Sequence, residues 1–236
     1  MEYKNCLAMP NERTSEWFVP KFGPKNFRII IGMLFLPYTA IITCFAALGS
    51  LSGHFEIQRL IAVCVIYFLS IGISAHFLDA VCGKTRPWGN LPKNKTVAVA
   101  IGALCIAFSI GLYYAFLDSP LLFPIGIAEG FFLFAYNLEL FDGRFHNRPT
   151  TIVSWSILPV FAGSVIQTNS ITIQSIEVAV LASIATWILI TVSRKYKIAL
   201  FNNGDRKLIH RSELVLVAIT CIVISSTLGF FVYRIF

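Results

Sequence analysis

Seven continuous apolar runs divide the chain, and polar segments separate them. They cover residues 29–51, 60–78, 97–116, 121–140, 151–166, 176–192 and 214–232. A membrane-crossing helix needs about 20 mostly apolar residues, whereas the strands of a membrane barrel are short and alternate. The fifth run is short and contains Pro159, which kinks a helix but is tolerated in a bundle, so six or eight spans also fit. The pattern predicts an all-α integral membrane protein, a bundle of about seven transmembrane helices.

Composition supports this prediction and argues against a soluble domain. Of the residues, 56% are hydrophobic and 13% are charged, and the mean hydropathy is +0.74. Soluble domains carry roughly a quarter charged residues, so this chain lacks the polar surface to cover itself in water. Residues 1–26 are polar and lack the apolar stretch of a cleavable signal peptide. We therefore expect a polar N-terminal segment over residues 1–26 and a single transmembrane domain over residues 27–236.

The basic residues fall almost entirely on one side of the predicted spans. With seven spans, 17 of the 19 Lys and Arg residues lie on the side of the N-terminus, and Arg59 and Arg234 lie on the other. Cytoplasmic segments carry such an excess, so we expect a cytoplasmic N-terminus in a multi-pass protein of the plasma membrane. The net charge of +7 is explained by this bias and by attraction to anionic membrane lipid. Nucleic acid is not an expected partner, because the bases are spread over short loops.

The ends of the second and fourth spans resemble each other. Residues 75–84 and 135–144 align without gaps as Ala-x-x-Leu-acid-x-x-x-Gly-base, and an Arg-Pro pair follows each stretch, at Arg86 and Arg148. The two stretches lie two spans apart and therefore on the same membrane face, as in a parallel repeat. Chance similarity is the alternative, because Leu and Ala are common in spans and Gly followed by a base is common at helix ends.

The acid within each stretch favours a functional role. Asp79 and Glu139 stand at the ends of apolar helices, where a stray carboxylate is costly. On a helix, His76 and Asp79 share a face, and Tyr136, Glu139 and Asp142 step by threes along one stripe. The spacing predicts that the two stretches form two halves of one polar site.

One further acid, Glu129, lies deep within the fourth span. A lone charge there costs several kcal/mol, so we expect a protonated or paired carboxyl. An interhelical hydrogen bond with a purely structural role is the alternative reading.

Carboxylates at a helix end, with Lys and Arg just beyond, suit a divalent metal and a diphosphate. Mg²⁺ takes oxygen ligands, commonly one or two carboxylates together with phosphate oxygens, and basic side chains neutralise the remaining phosphate charge. An apolar bundle behind such a site could hold a hydrocarbon tail. These features predict an enzyme that acts on a lipid diphosphate.

The first stretch resembles the first aspartate-rich motif of the UbiA superfamily of intramembrane prenyltransferases. That motif reads Asn-Asp-x-x-Asp-x-x-x-Asp followed by Arg-Pro; here Asp79 keeps a carboxylate, and His76 and Gly83 replace the other two. The second family motif is similar to residues 137–142 in having Glu139 and Asp142. Divergent UbiA-like proteins with His-x-x-Asp then Arg-Pro-Trp, and Tyr-Asn-Leu-Glu then Gly-Arg-Phe-His, resemble the two stretches more closely. The resemblance implies nine helices around a central cavity.

The resemblance also implies a function, which is Mg²⁺-dependent transfer of a prenyl group from a prenyl diphosphate to a lipophilic acceptor. Three groups of residues would carry it. The implied Mg²⁺ ligands are Asp79, Glu139 and Asp142. The implied diphosphate-binding residues are Lys84, Arg86, Arg144 and Arg148. The implied catalytic groups that move a proton are His76, Tyr136 and His146.

Two other interpretations are open. The reduced number of acids also suits a non-catalytic UbiA-like accessory subunit of a membrane complex, which would have membrane-protein partners. A bundle with a buried Glu129 also suits a transporter.

Overall fold

The structure, a computed structural model, describes residues 13–82, 88–89, 91–201 and 204–236. Within these ranges the chain forms helices and no strand. The long helices are α1 (Lys25–Leu51), α2 (Ile57–Cys82), α3 (Lys93–Leu117), α4 (Leu122–Asn137), α5 (Arg148–Thr168), α6 (Ile173–Phe201) and α7 (Arg206–Ile235).

Six of the helices in the described part of the chain are long and apolar enough to cross a membrane. They confirm the prediction of an all-helical, multi-pass membrane protein. The exception is α4, which has 16 residues. At a rise of 1.5 Å per residue it is about 24 Å long, less than the roughly 30 Å of a hydrocarbon core. It lies within the fourth predicted span, which the structure ends three residues early.

The helices run in alternating directions, as side-chain contacts at one end of the bundle show. Arg59, at the start of α2, donates to both carboxylate oxygens of Asp118 after α3, at 2.9 and 2.6 Å, and to the carbonyl oxygen of Ile166 near the end of α5, at 2.7 Å. Arg234, at the end of α7, donates to the carbonyl oxygen of Gly53 after α1. We call this end of the bundle the Arg59 end. The opposite end, where α2 ends close to Asp79, is called the Asp79 end.

The core of the bundle is the crossing of α1 and α5. A methyl group added at Gly49 would lie 2.0 Å from the carbonyl oxygen of Val160, and one added at Gly163 would lie 2.0 Å from that of Ala46. Small residues at such positions let two helix backbones approach closely, which is the main means of packing in lipid. Helix α1 also packs against α2, α6 and α7, so it forms the centre of the bundle.

Two irregular segments face each other near the Asp79 end. In α1 the helix is interrupted at Phe35, which has a left-handed backbone with φ of 44°, and Thr39 Oγ1 donates to the carbonyl oxygen of Leu34 at 2.7 Å. In α2, Phe68–Ala75 is π-helical, and a methyl group at Gly72 would lie 2.7 Å from Thr39 Cγ2. π-helical turns within α-helices often mark functional sites.

The fifth span is continuous despite its proline. A π-helical segment, Val153–Ile157, ends two residues before Pro159, which has no backbone N–H to donate. The helix type changes next to the proline, and the span runs on as one helix, Arg148–Thr168.

Candidate functional site

The two echoed stretches converge at the Asp79 end. Asp79 lies in the last turns of α2, Glu139 follows α4, and His146 precedes α5. His146 is exposed at the surface, but the groups around it displace part of its water and lower its pKa below the ordinary value, and the charges of Asp79 and Glu139 act in the opposite direction. The segment His76–Cys82 also packs against α4, so the two stretches lie at the same end of the bundle.

The chain reaches this arrangement through a turn and not through a longer helix. Helix α4 ends at Asn137, and Glu139, Phe141 and Asp142 all adopt left-handed backbone conformations. The prediction that Tyr136, Glu139 and Asp142 share one helical stripe is therefore wrong. The turn places the ring of His146 on that of Tyr136, with 3.9 Å between ring centroids and 21° between planes.

Helix α6 contributes cations that the sequence argument did not place in the site. The charges of Asp79, Arg194 and Arg13 all act on Lys197. Tyr196, the preceding residue, is fully buried, which fixes this face of α6 against the bundle. The sequence carries no local signal for this placement, because it depends on how α6 is rotated in the bundle.

The segment before α1 closes one side of the site. Glu16 is 1% exposed and pairs with Arg13, whose Nε lies 3.5 Å from its Oε1. The backbone N–H of Trp17 donates to the hydroxyl of Tyr196 at 3.2 Å. The segment is further held by Arg28, which donates to two of its backbone carbonyls. The N-terminal segment is thus part of the bundle end and brings one acid and one base to it.

His76 lies beside the site, against the interruption in α1. Its ring centroid is 4.7 Å from that of Phe35, and the charges of Arg13 and Lys197 act on the imidazole. Its Nδ1 atom is buried and has no hydrogen-bond partner among the described residues. The π-helical segment directly precedes His76, so the irregular turn of α2 sets its position.

The remaining predicted site residues lie at the edge of this cluster or outside the described ranges. Arg144, Arg148 and Asp142 are exposed on or beside the turn between α4 and α5. Lys84 and Arg86 lie outside the described residues. Within the described ranges, no three His, Cys, Asp or Glu side chains are grouped as a ready-made metal site.

Glu129 lies apart from the Asp79 end, within the bundle. The hydroxyl of Tyr67 on α2 donates to its Oε1 at 2.7 Å. The interhelical hydrogen bond considered from the sequence is therefore present.

No protein-family model, curated protein or solved structure matches the chain. Function must therefore be inferred from the chain's own residues and their geometry.

Proposed function

We propose that the chain is a UbiA-like intramembrane prenyltransferase, which moves a prenyl group from a prenyl diphosphate to a lipophilic acceptor with the help of Mg²⁺. One observation carries the proposal. Asp79 and Glu139 come from two stretches that echo each other in sequence, and the segment that bears Asp79 packs against α4, which Glu139 follows. Lys197, with Arg194 and Arg13 around it, adds cations to these acids.

The acids present fit a magnesium ion that the substrate helps to bind. Mg²⁺ is usually held by one or two carboxylates, and phosphate oxygens and water complete the octahedron. Asp79 and Glu139 would supply the two carboxylates, and Asp142 stands on the neighbouring exposed turn. When bound, the ion would neutralise the charge that develops on the departing pyrophosphate.

The cations at the Asp79 end suit the rest of the diphosphate charge. Lys197 is partly buried between Asp79, Arg13 and Glu16, where water screens its charge less than at an open surface. Hydrogen bonds from ionised donors to phosphate oxygens are short and strong. Lys197, Arg194 and Arg13 would therefore hold the diphosphate, and Arg144 and Arg148 would contact it from the exposed edge.

His146 would take the proton that the acceptor loses as its new bond forms. Its lowered pKa keeps the imidazole neutral near pH 7, which is the form that accepts a proton. Stacking on Tyr136 fixes the plane of the ring. The bias of Lys and Arg toward this end supports a cytoplasmic site in the plasma membrane.

The proposal is tested by thermal unfolding of the purified protein with Mg²⁺ and a series of prenyl diphosphates of increasing chain length. A ligand that binds the folded state at 100 times its dissociation constant stabilises it by about 2.7 kcal/mol, so the melting temperature should rise. Stabilisation should require both Mg²⁺ and the diphosphate.

Two variants and one activity measurement complete the test. K197M should lose the stabilisation, whereas the matched variant K195M should keep it, because Lys195 is exposed two residues away on the same helix. Release of pyrophosphate in the presence of a lipophilic acceptor distinguishes an enzyme from a binding subunit. Absence of stabilisation by every prenyl diphosphate would refute the proposal.

A further inference from the structure

A crevice of about 160 Å³ lies between α2, α3, α4 and α5. Its walls are mainly apolar side chains, such as Phe108, Ile125 and Leu133. Glu129 lies on the wall beside the hydroxyl group of Tyr67, which donates to its Oε1. The crevice therefore combines a hydrocarbon-like surface with one strong hydrogen-bonding group, the carboxyl of Glu129.

This crevice is separate from the cluster at the Asp79 end. Glu129 is seven residues after Leu122 in a helix of 16, so it lies close to the middle of α4. Its distance from the end of α4 at Asn137 is about 12 Å along the helix axis. Among the described residues, no basic side chain forms an ion pair with Glu129. Ionisable residues at such depth usually belong to a ligand or proton path.

The size of the crevice and its hydrogen-bonding groups limit the ligand. An apolar cavity of about 150 Å³ holds a molecule of the size of benzene, so this crevice holds one ring or a short chain. A hydroxyl group both donates and accepts, so it can bind the carboxyl of Glu129 whether that group is protonated or ionised. A carbonyl can only accept, and an ammonium ion would lose most of its hydration at this depth.

We propose that the crevice binds a neutral, membrane-soluble alcohol, with its hydroxyl group on Glu129 and its apolar body between α3 and α4. The site is independent of prenyl transfer at the Asp79 end.

Photolabelling of the purified protein in lipid nanodiscs tests this site. The probe is octanol bearing a diazirine group on its chain, and the matched probe is octane bearing the same group. The alcohol should label crevice residues such as Phe108 and Ile125. Because one hydrogen bond is worth about 1 kcal/mol, E129L should weaken this labelling about fivefold, whereas E129Q should retain it through its amide.

Two glycine variants test the site without altering the carboxyl of Glu129. Methyl groups at Gly126, on the crevice wall, and at Gly102, away from it on α3, would each meet no atom within 4 Å. G126L should therefore fill the crevice and block labelling, and G102L should leave it unchanged. If the alcohol labels the wild type and E129L equally, or if G126L does not reduce labelling, the proposal is wrong. Equal labelling by the octane probe would show an apolar groove filled by lipid chains and would also overturn it.

Discussion

The close crossing of α1 and α5 predicts that single methyl groups will destabilise the protein. A Cβ atom at Gly49 would lie 2.0 Å from the carbonyl oxygen of Val160, and ordinary van der Waals contact begins at 3.4 Å. The helices would therefore have to separate by 1.4 Å, the difference between these two distances. The opposing atoms belong to helix backbone and cannot rotate away. Overpacking of this kind costs typically 1–3 kcal/mol, and we expect G49A to lie at about 3 kcal/mol.

The matched control is G102A on α3, where an added methyl group would meet nothing within 4 Å. There the substitution removes only the conformational freedom of glycine, so stability should stay the same or rise by up to about 1 kcal/mol. Unfolding should be followed by circular dichroism in mixed micelles, with increasing amounts of a denaturing detergent.

A second substitution tests whether the cost comes from the crossing itself. G163A places a methyl group 2.0 Å from the carbonyl oxygen of Ala46 on the same helix pair. Once one methyl group has separated the helices, the other should add less, so G49A/G163A should cost less than the sum of the two single variants. If G49A is as stable as G102A, or if the two costs add fully, the close approach described here is refuted.

Two further predictions concern pH and the ion pair at the Arg59 end. Hydrogen bonds from Arg59 lower the pKa of Asp118 to about 2, so its contribution to stability is complete above the ordinary carboxyl value of 3.8 and is lost as the pH falls toward 2. Because water screens the exposed Asp118 carboxylate, D118N should cost no more than about 0.5 kcal/mol at pH 7, and it should remove this part of the acid dependence in unfolding titrations. An unchanged acid profile would contradict the pairing. The lowered pKa of His146 means that stability is complete above pH 6.5 and declines as the pH falls from that value to the lowered pKa. H146N should reduce the pH dependence of the free energy of unfolding in that window, and a profile identical to that of the wild type would show that the surroundings of His146 do not lower its pKa.

The membrane architecture could be predicted because hydropathy alone decides it. A run of about 20 apolar residues is long enough to cross a membrane as a helix. Six of the seven predicted spans are such long helices in the structure. The fourth span was predicted to reach Leu140, but the helix ends at Asn137. The left-handed turn at Glu139 and Asp142 was missed because neither residue is glycine, the usual signal for such a backbone.

The candidate site could be predicted only in part. Asp79, Glu139 and His146 were named from local motifs, and they lie at the same end of the bundle. Lys197 was counted only as a basic residue of a loop, because a base near a span end can face lipid headgroups or the bundle with the same sequence. Which of these occurs depends on the rotation of α6, which tertiary packing around Tyr196 sets.

The contribution of the N-terminal segment to the bundle end could also not be predicted from the sequence. Glu16 lies in a polar stretch without periodicity, yet it is buried at the bundle end beside Arg13. Its burial follows from contacts with α6, more than 170 residues later in the chain, as the hydrogen bond from Trp17 to Tyr196 shows. The π-helical turn before His76 likewise depends on the packing of Gly72 against Thr39 and has no local sequence signal.

The central claim is that Asp79 and Glu139 form one site for a prenyl diphosphate and Mg²⁺. Equilibrium binding of geranylgeranyl diphosphate, measured by calorimetry with and without Mg²⁺, tests it most directly. Binding by the wild type should require Mg²⁺, and D79N and E139Q should each abolish it. The control E177Q should bind as the wild type does, because Glu177 is exposed near the start of α6, at the Arg59 end. Unchanged, Mg²⁺-dependent binding in both D79N and E139Q would contradict the account.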